Sequence, residues 1–315
     1  MMSAAPAPEL LDRARGCAVG AAVGDALGMP LEFGPPRPQH DLVREMIEGR
    51  IPAGSFTDDT EMALALAESL LAHRPLDPDD LARRFVAWAE RNPPDIGTHT
   101  RRVLSRVGRG TPWREAATAV QAAYPDSAGN GSVMRCWPVA LAYWQQPDAL
   151  RAESILQSEV THPHPDCTAA CVFVNTMIAW LLAGEARETA FERALASTDI
   201  GSDFRRVIEA APSRARRDLA NSGWVRHTVE SAVWGLLTTS SFEEAVVQVA
   251  NLGDDADTAA SVVGALAGAA YGLDAIPARW RAALRGAWPI NSDTIWSAED
   301  FVRLADRLVS LESAT

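Results

Sequence analysis

The chain has 315 residues, 47% hydrophobic and 22% charged, a globular composition that excludes a wholly disordered polypeptide. Forty-one acids against 29 bases give a formal charge of -12, which opposes general attraction to nucleic-acid phosphates or anionic membrane surfaces. All 29 bases are arginine, so Schiff-base and lysine-nucleophile chemistry is excluded outright.

Taken in chain order, residues 1–8 (Met1 to Pro8) are rich in Ala and Pro and predict a disordered tail. Helix-like periodicity begins at Glu9 and keeps returning, so residues 9–315 are expected to form one compact all-α domain. Arg13 and Arg15 ahead of Gly16 to Gly24 imitate a signal peptide, but the apolar stretch is short, glycine-rich and broken by Asp25. Leu64, Leu66, Leu70 and Leu71, then Leu81, Phe85, Val86 and Trp88, and later Val172, Val174, Met177, Ile178, Leu181 and Leu182 form apolar stripes expected on buried helix faces. Prolines at 75, 78, 93, 94, 163 and 165 and the Gly129-Asn130-Gly131 turn separate them. Near the C-terminus Gly264, Gly268 and Gly272 recur every four residues on one helical face, where they predict close approach of another helix. The four cysteines lack metal-ligand spacing and read as buried thiols of a reducing compartment. No apolar run approaches the ~20 residues of a membrane span, so a cytoplasmic protein with no membrane partner is expected.

Two acidic clusters open two helical stretches about 200 residues apart: Thr57-Asp58-Asp59-Thr60-Glu61 and Gly253-Asp254-Asp255-Ala256-Asp257-Thr258. Asp58 with Glu61 three residues on has the pattern of a capping box, and acids at a helix start gain from the dipole. Capping needs only one or two acids, whereas clustered carboxylates repel one another unless a cation compensates. Spacing alone leaves capping and metal binding both open, and the pairing of two clusters favours metal. Carboxylates and hydroxyls without His or Cys form a hard oxygen set suited to Mg, Mn or Ca.

With Gly20 to Gly28, Pro94-Asp95-Ile96-Gly97, Gly129 to Arg135 and Thr161-His162, these clusters make six motifs in a fixed order. In them the chain resembles the ADP-ribosylglycohydrolases. The resemblance implies an all-α fold with a dinuclear metal site, two divalent cations, Mg or Mn, and Thr57, Asp58, Asp59, Asp255, Asp257 and Thr258 as their ligands. Asp254 falls outside that set, at a position where glycine is common in the family, and is left to helix capping or outer contacts. The resemblance also implies catalytic roles for Glu32, on a segment over the metals, and for Asp95, beside the scissile bond as acid or base. Asn130, Gly131 and Ser132 would contact ribose and diphosphate, and His162 the phosphates or ribose. Met134 and Arg135 are expected to be structural, the arginine paired with an acid.

The activity so implied is metal-dependent hydrolysis of the N-glycosidic bond between ADP-ribose and a protein side chain, with arginine the expected aglycone. Serine-linked, nucleobase and small-molecule ADP-ribosides would need the same machinery. A non-catalytic ADP-ribose-binding protein is the rival of another class, and a phosphohydrolase releasing AMP is a second.

Overall fold

A computed structural model describes residues 6–311. Of the tail expected over residues 1–8, residues 1–5 lie outside the described residues, and Pro8 already opens the first helix. The first seven helices are α1 (Pro8–Gly28), α2 (Asp58–Ala72), α3 (Pro78–Ala89), α4 (Thr98–Val107), α5 (Trp113–Ala123), α6 (Trp137–Tyr143) and α7 (Pro147–Glu159). They are followed by α8 (Pro165–Leu182), α9 (Arg187–Ser197), α10 (Ser202–Ala210), α11 (Val225–Thr238), α12 (Phe242–Ala250), α13 (Ala256–Tyr271), α14 (Ala278–Ala283) and α15 (Ala298–Val309). The described sheet is a single antiparallel pair, Gly286–Ala287 with Ile295–Trp296. Proline explains several helix starts: Pro8, Pro78, Pro147 and Pro165 each sit at the first helical position, where no N–H is needed and φ is already set.

The glycine spacing determines how the centre is assembled. In α1, Gly16, Gly20, Gly24 and Gly28 face Gly268, Gly264, Ala260 and Asp257 of α13 in antiparallel order, and a Cβ on any of the four would collide with α13 backbone. The expected close partner of the Gly264–Gly268 face is therefore α1. Gly272 serves differently, ending α13 at φ 81°, a conformation that only glycine adopts freely. Because the helices run antiparallel, the C-terminal end of α1 meets the N-terminal end of α13, and Asp25 comes to lie beside Asp257. Gly264→Ala is expected to unfold or severely weaken the protein, beyond the ~1–3 kcal/mol of ordinary overpacking, because the obstacle is the Gly20 carbonyl and not a movable side chain. Urea titration checks it, and a loss below about 1 kcal/mol would contradict the packing.

Helix α8 has 18 residues of mean hydropathy 1.4, long and apolar enough to resemble a membrane span. It is instead a core helix, 67% buried inside the fold, with Phe173, Met177 and Ile178 fully enclosed. All four cysteines are buried and unpaired.

The start of α2 departs from expectation. Thr57, not Asp58, is the N-cap, and no capping box forms. Glu61 turns away to accept the Trp88 indole N–H at 2.8 Å. Asp58 is thereby released from capping and lines the cleft described next.

Candidate active site

Three chain segments bring the acids together: the end of α1, the start of α2 and the start of α13. Asp25 is fully buried and accepts five hydrogen bonds, from the Thr57 N–H (3.1 and 2.9 Å) and hydroxyl (2.7 Å) and the Thr60 N–H (3.2 Å) and hydroxyl (2.6 Å). It therefore performs the capping that the Thr57 side chain does not. Since the Thr57 hydroxyl spends its hydrogen on Asp25, its lone pairs remain to accept, as a metal ligand requires.

One carboxylate oxygen each of Asp25, Asp59 and Asp257 lie within 4.8 Å of one another, and so do oxygens of Glu32, Asp255 and Asp257. Asp257 belongs to both groups, so its carboxylate joins two sets of acidic oxygens, each of which could hold a cation. Thr258 joins it, its hydroxyl 3.4 Å from Asp59 Oδ2 and its N–H donating to Asp257 Oδ1 at 2.9 Å. Asp59 Oδ1 is buried with no hydrogen-bond partner, and an orphaned carboxylate oxygen in a hard-donor cluster fits a divalent cation. Of the six residues expected as ligands, Asp59, Asp255 and Asp257 supply oxygens to these groups, Thr57 adjoins them through Asp25 and Thr258 through Asp59 and Asp257, while Asp58 lines the cleft beside them and belongs to neither group. Asp25 was missed as a contributor, although an acid inside the apolar, glycine-rich start of the chain was the signal that could have found it.

Burial pushes the carboxyl groups of Asp25, Asp58, Asp59, Asp255 and Asp257 upward, and neighbouring charges add to it. Asp25 and Asp257 rise to about 6 and Asp255 to about 7, while Asp58 and Asp59 rise well above the usual range. Glu61, buried behind Trp88, rises to about 8. Burial conversely lowers His99 and His162. Below about pH 6.5 the histidines and carboxyls oppose each other, but between about pH 6.5 and 8 only the carboxyls count. There the folded chain holds more protons than the unfolded one, so stability falls as pH rises. The metal-free melting temperature should drop across this window, and a saturating divalent cation should remove all but the Glu61 share. Melting curves with EDTA and with Mg or Mn test this, and a metal-free midpoint that rises from pH 6.5 to 8 would contradict the buried charge.

Above the cluster lies a cleft of about 510 Å³. Glu32 follows α1 and Asp95 sits in the loop before α4; their side chains are 11% and 5% exposed. Arg50, from the segment between α1 and α2, reaches in between them. It pairs with Glu32, with Asp95 Oδ2 at 3.0 Å and with Asp257 Oδ2 at 3.4 Å. Asp95 Oδ1 is buried without a partner. No sequence signal marked Arg50, one arginine among 29.

The far side of the cleft is the Gly129–Gly131 turn with His162 behind it. Asn130 is held by its amide, which donates to Asp255 Oδ2 at 2.7 Å and to Thr228 Oγ1 at 2.8 Å. Its side-chain N–H groups thus tie the glycine turn to the acidic cluster. Gly131 borders the cleft. Ser132 is fully buried, its hydroxyl 2.8 Å from Ser158 Oγ, so its side chain faces the core and not the cleft. His162 is stacked on His99 with centroids 4.6 Å apart, and both line the cleft. His99 had no sequence signal. Arg135 departs from expectation, since it is fully buried and no carboxylate pairs with it among the described residues.

Asp254 adopts φ 52°, which accounts physically for glycine suiting this position. Its side chain neither caps α13, whose N-cap is Asp255, nor enters the cluster; its backbone pairs with Phe33 and Gly34 at 2.7 and 2.8 Å. That pairing ties the Glu32 segment to the second acidic motif.

Comparison with known proteins agrees with the fold. The ADP-ribosylglycohydrolase family model matches residues 6–315. The chain is 36% identical to the ADP-ribosyl-[dinitrogen reductase] glycohydrolase of Rhodospirillum rubrum, covering 87% of this chain and 90% of that one. It is 34% identical to the ADP-ribosylarginine hydrolase Tri1 of Serratia proteamaculans, covering 87% and 76%. A solved structure titled ADP-ribosylglycohydrolase-related protein complex superposes with a TM-score of 0.82 at 35% identity, covering 97% of this chain and 99% of that one.

Proposed function

The chain belongs to the ADP-ribosylglycohydrolase family, and from that membership we propose that it hydrolyses the N-glycosidic bond joining ADP-ribose to a protein arginine, using two divalent cations, Mg or Mn. The observation that carries the arginine reading is the setting of Arg50. Glu32, Asp95 and Asp257 surround a guanidinium, and the leaving group of this reaction is a guanidine. A substrate arginine entering the same cradle displaces Arg50, whose backbone lies on an exposed segment. The names of the Rhodospirillum and Serratia relatives, for ADP-ribosyl-dinitrogen reductase and ADP-ribosylarginine, support the same aglycone.

Thr57, Asp58, Asp59, Asp255, Asp257 and Thr258 would hold the cations, which when bound supply the charge that orients ribose hydroxyls and makes water more acidic. The rest falls to the chain. In the reaction, water oxygen bonds to the anomeric carbon, the carbon–nitrogen bond breaks, and the guanidine leaves with a proton. Asp95, 3.0 Å from the Arg50 guanidinium nitrogen, would manage that proton and stabilise the developing oxocarbenium charge. Glu32 closes the cradle from the α1 side. The Gly129–Gly131 turn offers backbone that phosphate can approach closely, and His162 stands behind it. The buried free thiols accord with a cytoplasmic location.

The test is incubation of arginine-ADP-ribosylated peptide with the protein and Mg or Mn, followed by mass spectrometry. Intact ADP-ribose and unmodified arginine should appear, and EDTA should stop both. AMP as product would overturn the glycosidic reading, and release from serine-linked peptide alone would overturn the arginine one.

A further inference from the structure

Behind the glycine turn, Arg135 is a buried cation held by uncharged groups. Its Nε donates to Gln157 Oε1 at 3.1 Å and its Nη2 to the Gln157 carbonyl at 2.9 Å and to Thr161 Oγ1 at 2.8 Å. Its plane lies over the Phe85 ring, Cζ 4.3 Å from the centroid. An unpaired buried charge is costly, so its retention calls for a use.

The use follows from donors and acceptors. A guanidinium only donates, so the Thr161 hydroxyl must accept from Arg135. Its own hydrogen is then free for its other close neighbour, His162 Nδ1 at 2.8 Å. An Nδ1 that accepts carries no proton, and a neutral imidazole then carries its proton on Nε2. The Nε2 edge faces the glycine turn, where a Cβ added to Gly131 would crowd Cε1 and Nε2. His99 stacks on the ring and bonds the Thr161 carbonyl through Nε2 at 3.0 Å, fixing the plane.

We propose that Arg135 and Thr161 are positioning residues that lock His162 in the Nε2–H form, as a fixed donor for an anionic oxygen of the ligand diphosphate. The ligand class rests on the ADP-ribose reading above; the lock does not. An imidazole free to change tautomer spends part of its time with a lone pair at Nε2, and an anion must then draw on its own binding energy to select the donor form. The lock leaves the ring always a donor, and the Arg135 charge behind it adds long-range attraction for the anion.

Thr161→Val keeps the shape and removes the relay, and Thr161→Ser restores it. Nitrogen NMR on the ligand-free protein, with His162→Gln to assign the signal, reads the tautomer. Calorimetry with ADP-ribose and with inorganic pyrophosphate reads the consequence. The wild type and Thr161→Ser should show His162 protonated at Nε2 alone. Thr161→Val should place protonation on Nδ1 or both forms and weaken ADP-ribose binding about 10- to 100-fold, the worth of a hydrogen bond to a charged group. KM should rise more than kcat falls. Wild-type protonation at Nδ1, or an unchanged tautomer in Thr161→Val, overturns the lock. A changed tautomer with unchanged ADP-ribose affinity overturns its purpose. A wild type that shows the lock but binds pyrophosphate and not ADP-ribose upholds a diphosphate donor and overturns the ADP-ribose reading alone.

Discussion

Asp257→Asn is expected to lower turnover of an arginine-linked ADP-riboside by at least about 10³-fold while leaving the fold intact. The residue lies in both carboxylate groups of the site that could hold a cation, so the change removes the one charge that the two groups share. Lost cation charge at a reacting centre is worth several kcal/mol, and each 1.36 kcal/mol is a factor of ten. Stability should move the other way. Burial and the Asp25 charge push Asp257 up to about 6, which means that the metal-free fold is burdened by this carboxylate at pH 7. An amide of the same shape keeps an oxygen for the Thr258 N–H, a bond of 2.9 Å in the native protein. The metal-free variant should therefore melt at or above the wild type. Wild-type protein at 100 times the dissociation constant of the cation gains about 2.7 kcal/mol, a rise of several degrees that the variant should lack. Turnover within tenfold of the wild type, or an undiminished rise in melting temperature with Mg or Mn, would remove Asp257 from the metal site.

The acidic half of the site was legible in the sequence because its residues are adjacent there. Thr57-Asp58-Asp59 and Asp255-Ala256-Asp257-Thr258 each open a helix, so local spacing already places their carboxylates at one end of it. Legible too was the close packing of α13, since a four-residue glycine period is a property of one helix face. The partner was hidden: that Gly20 and Gly24 of α1 fill the role, and so deliver Asp25 to Thr57 and Thr60, depends on two helices about 240 residues apart crossing in antiparallel order. Arg50 and His99 were invisible for the same reason, because a lone arginine in a loop or histidine in a helix has no pattern. Asn130 shows the limit in another way. Its motif pointed to ligand contact, but its amide hydrogens are committed to Asp255 and Thr228, and only the folded chain reveals that assignment. Arg135 was expected beside an acid by general rule; its uncharged partners became visible only once Gln157 and Thr161 were in place.

Asp95→Asn should separate chemistry from metal binding. Asp95 lies outside both carboxylate groups that could hold a cation, yet its Oδ2 is 3.0 Å from the Arg50 guanidinium and its Oδ1 is buried and unpartnered. Asparagine retains one acceptor but cannot exchange a proton, and general acid or base action of this kind contributes about 10²–10⁴-fold. The expected result is a fall in kcat of that size, with the rise in melting temperature on adding Mg or Mn unchanged. Because the cradle also loses a charge, KM for an arginine-linked substrate should rise, whereas affinity for ADP-ribose, which lacks the guanidinium, should not. A small-molecule ADP-riboside with a more acidic leaving group needs less help from a proton donor, so the variant should recover much of its loss on such a substrate. If Asp95→Asn instead lost the metal-dependent melting shift, Asp95 would belong with the ligands. Equal losses on both leaving groups would assign it to orienting water and not to protonating the guanidine.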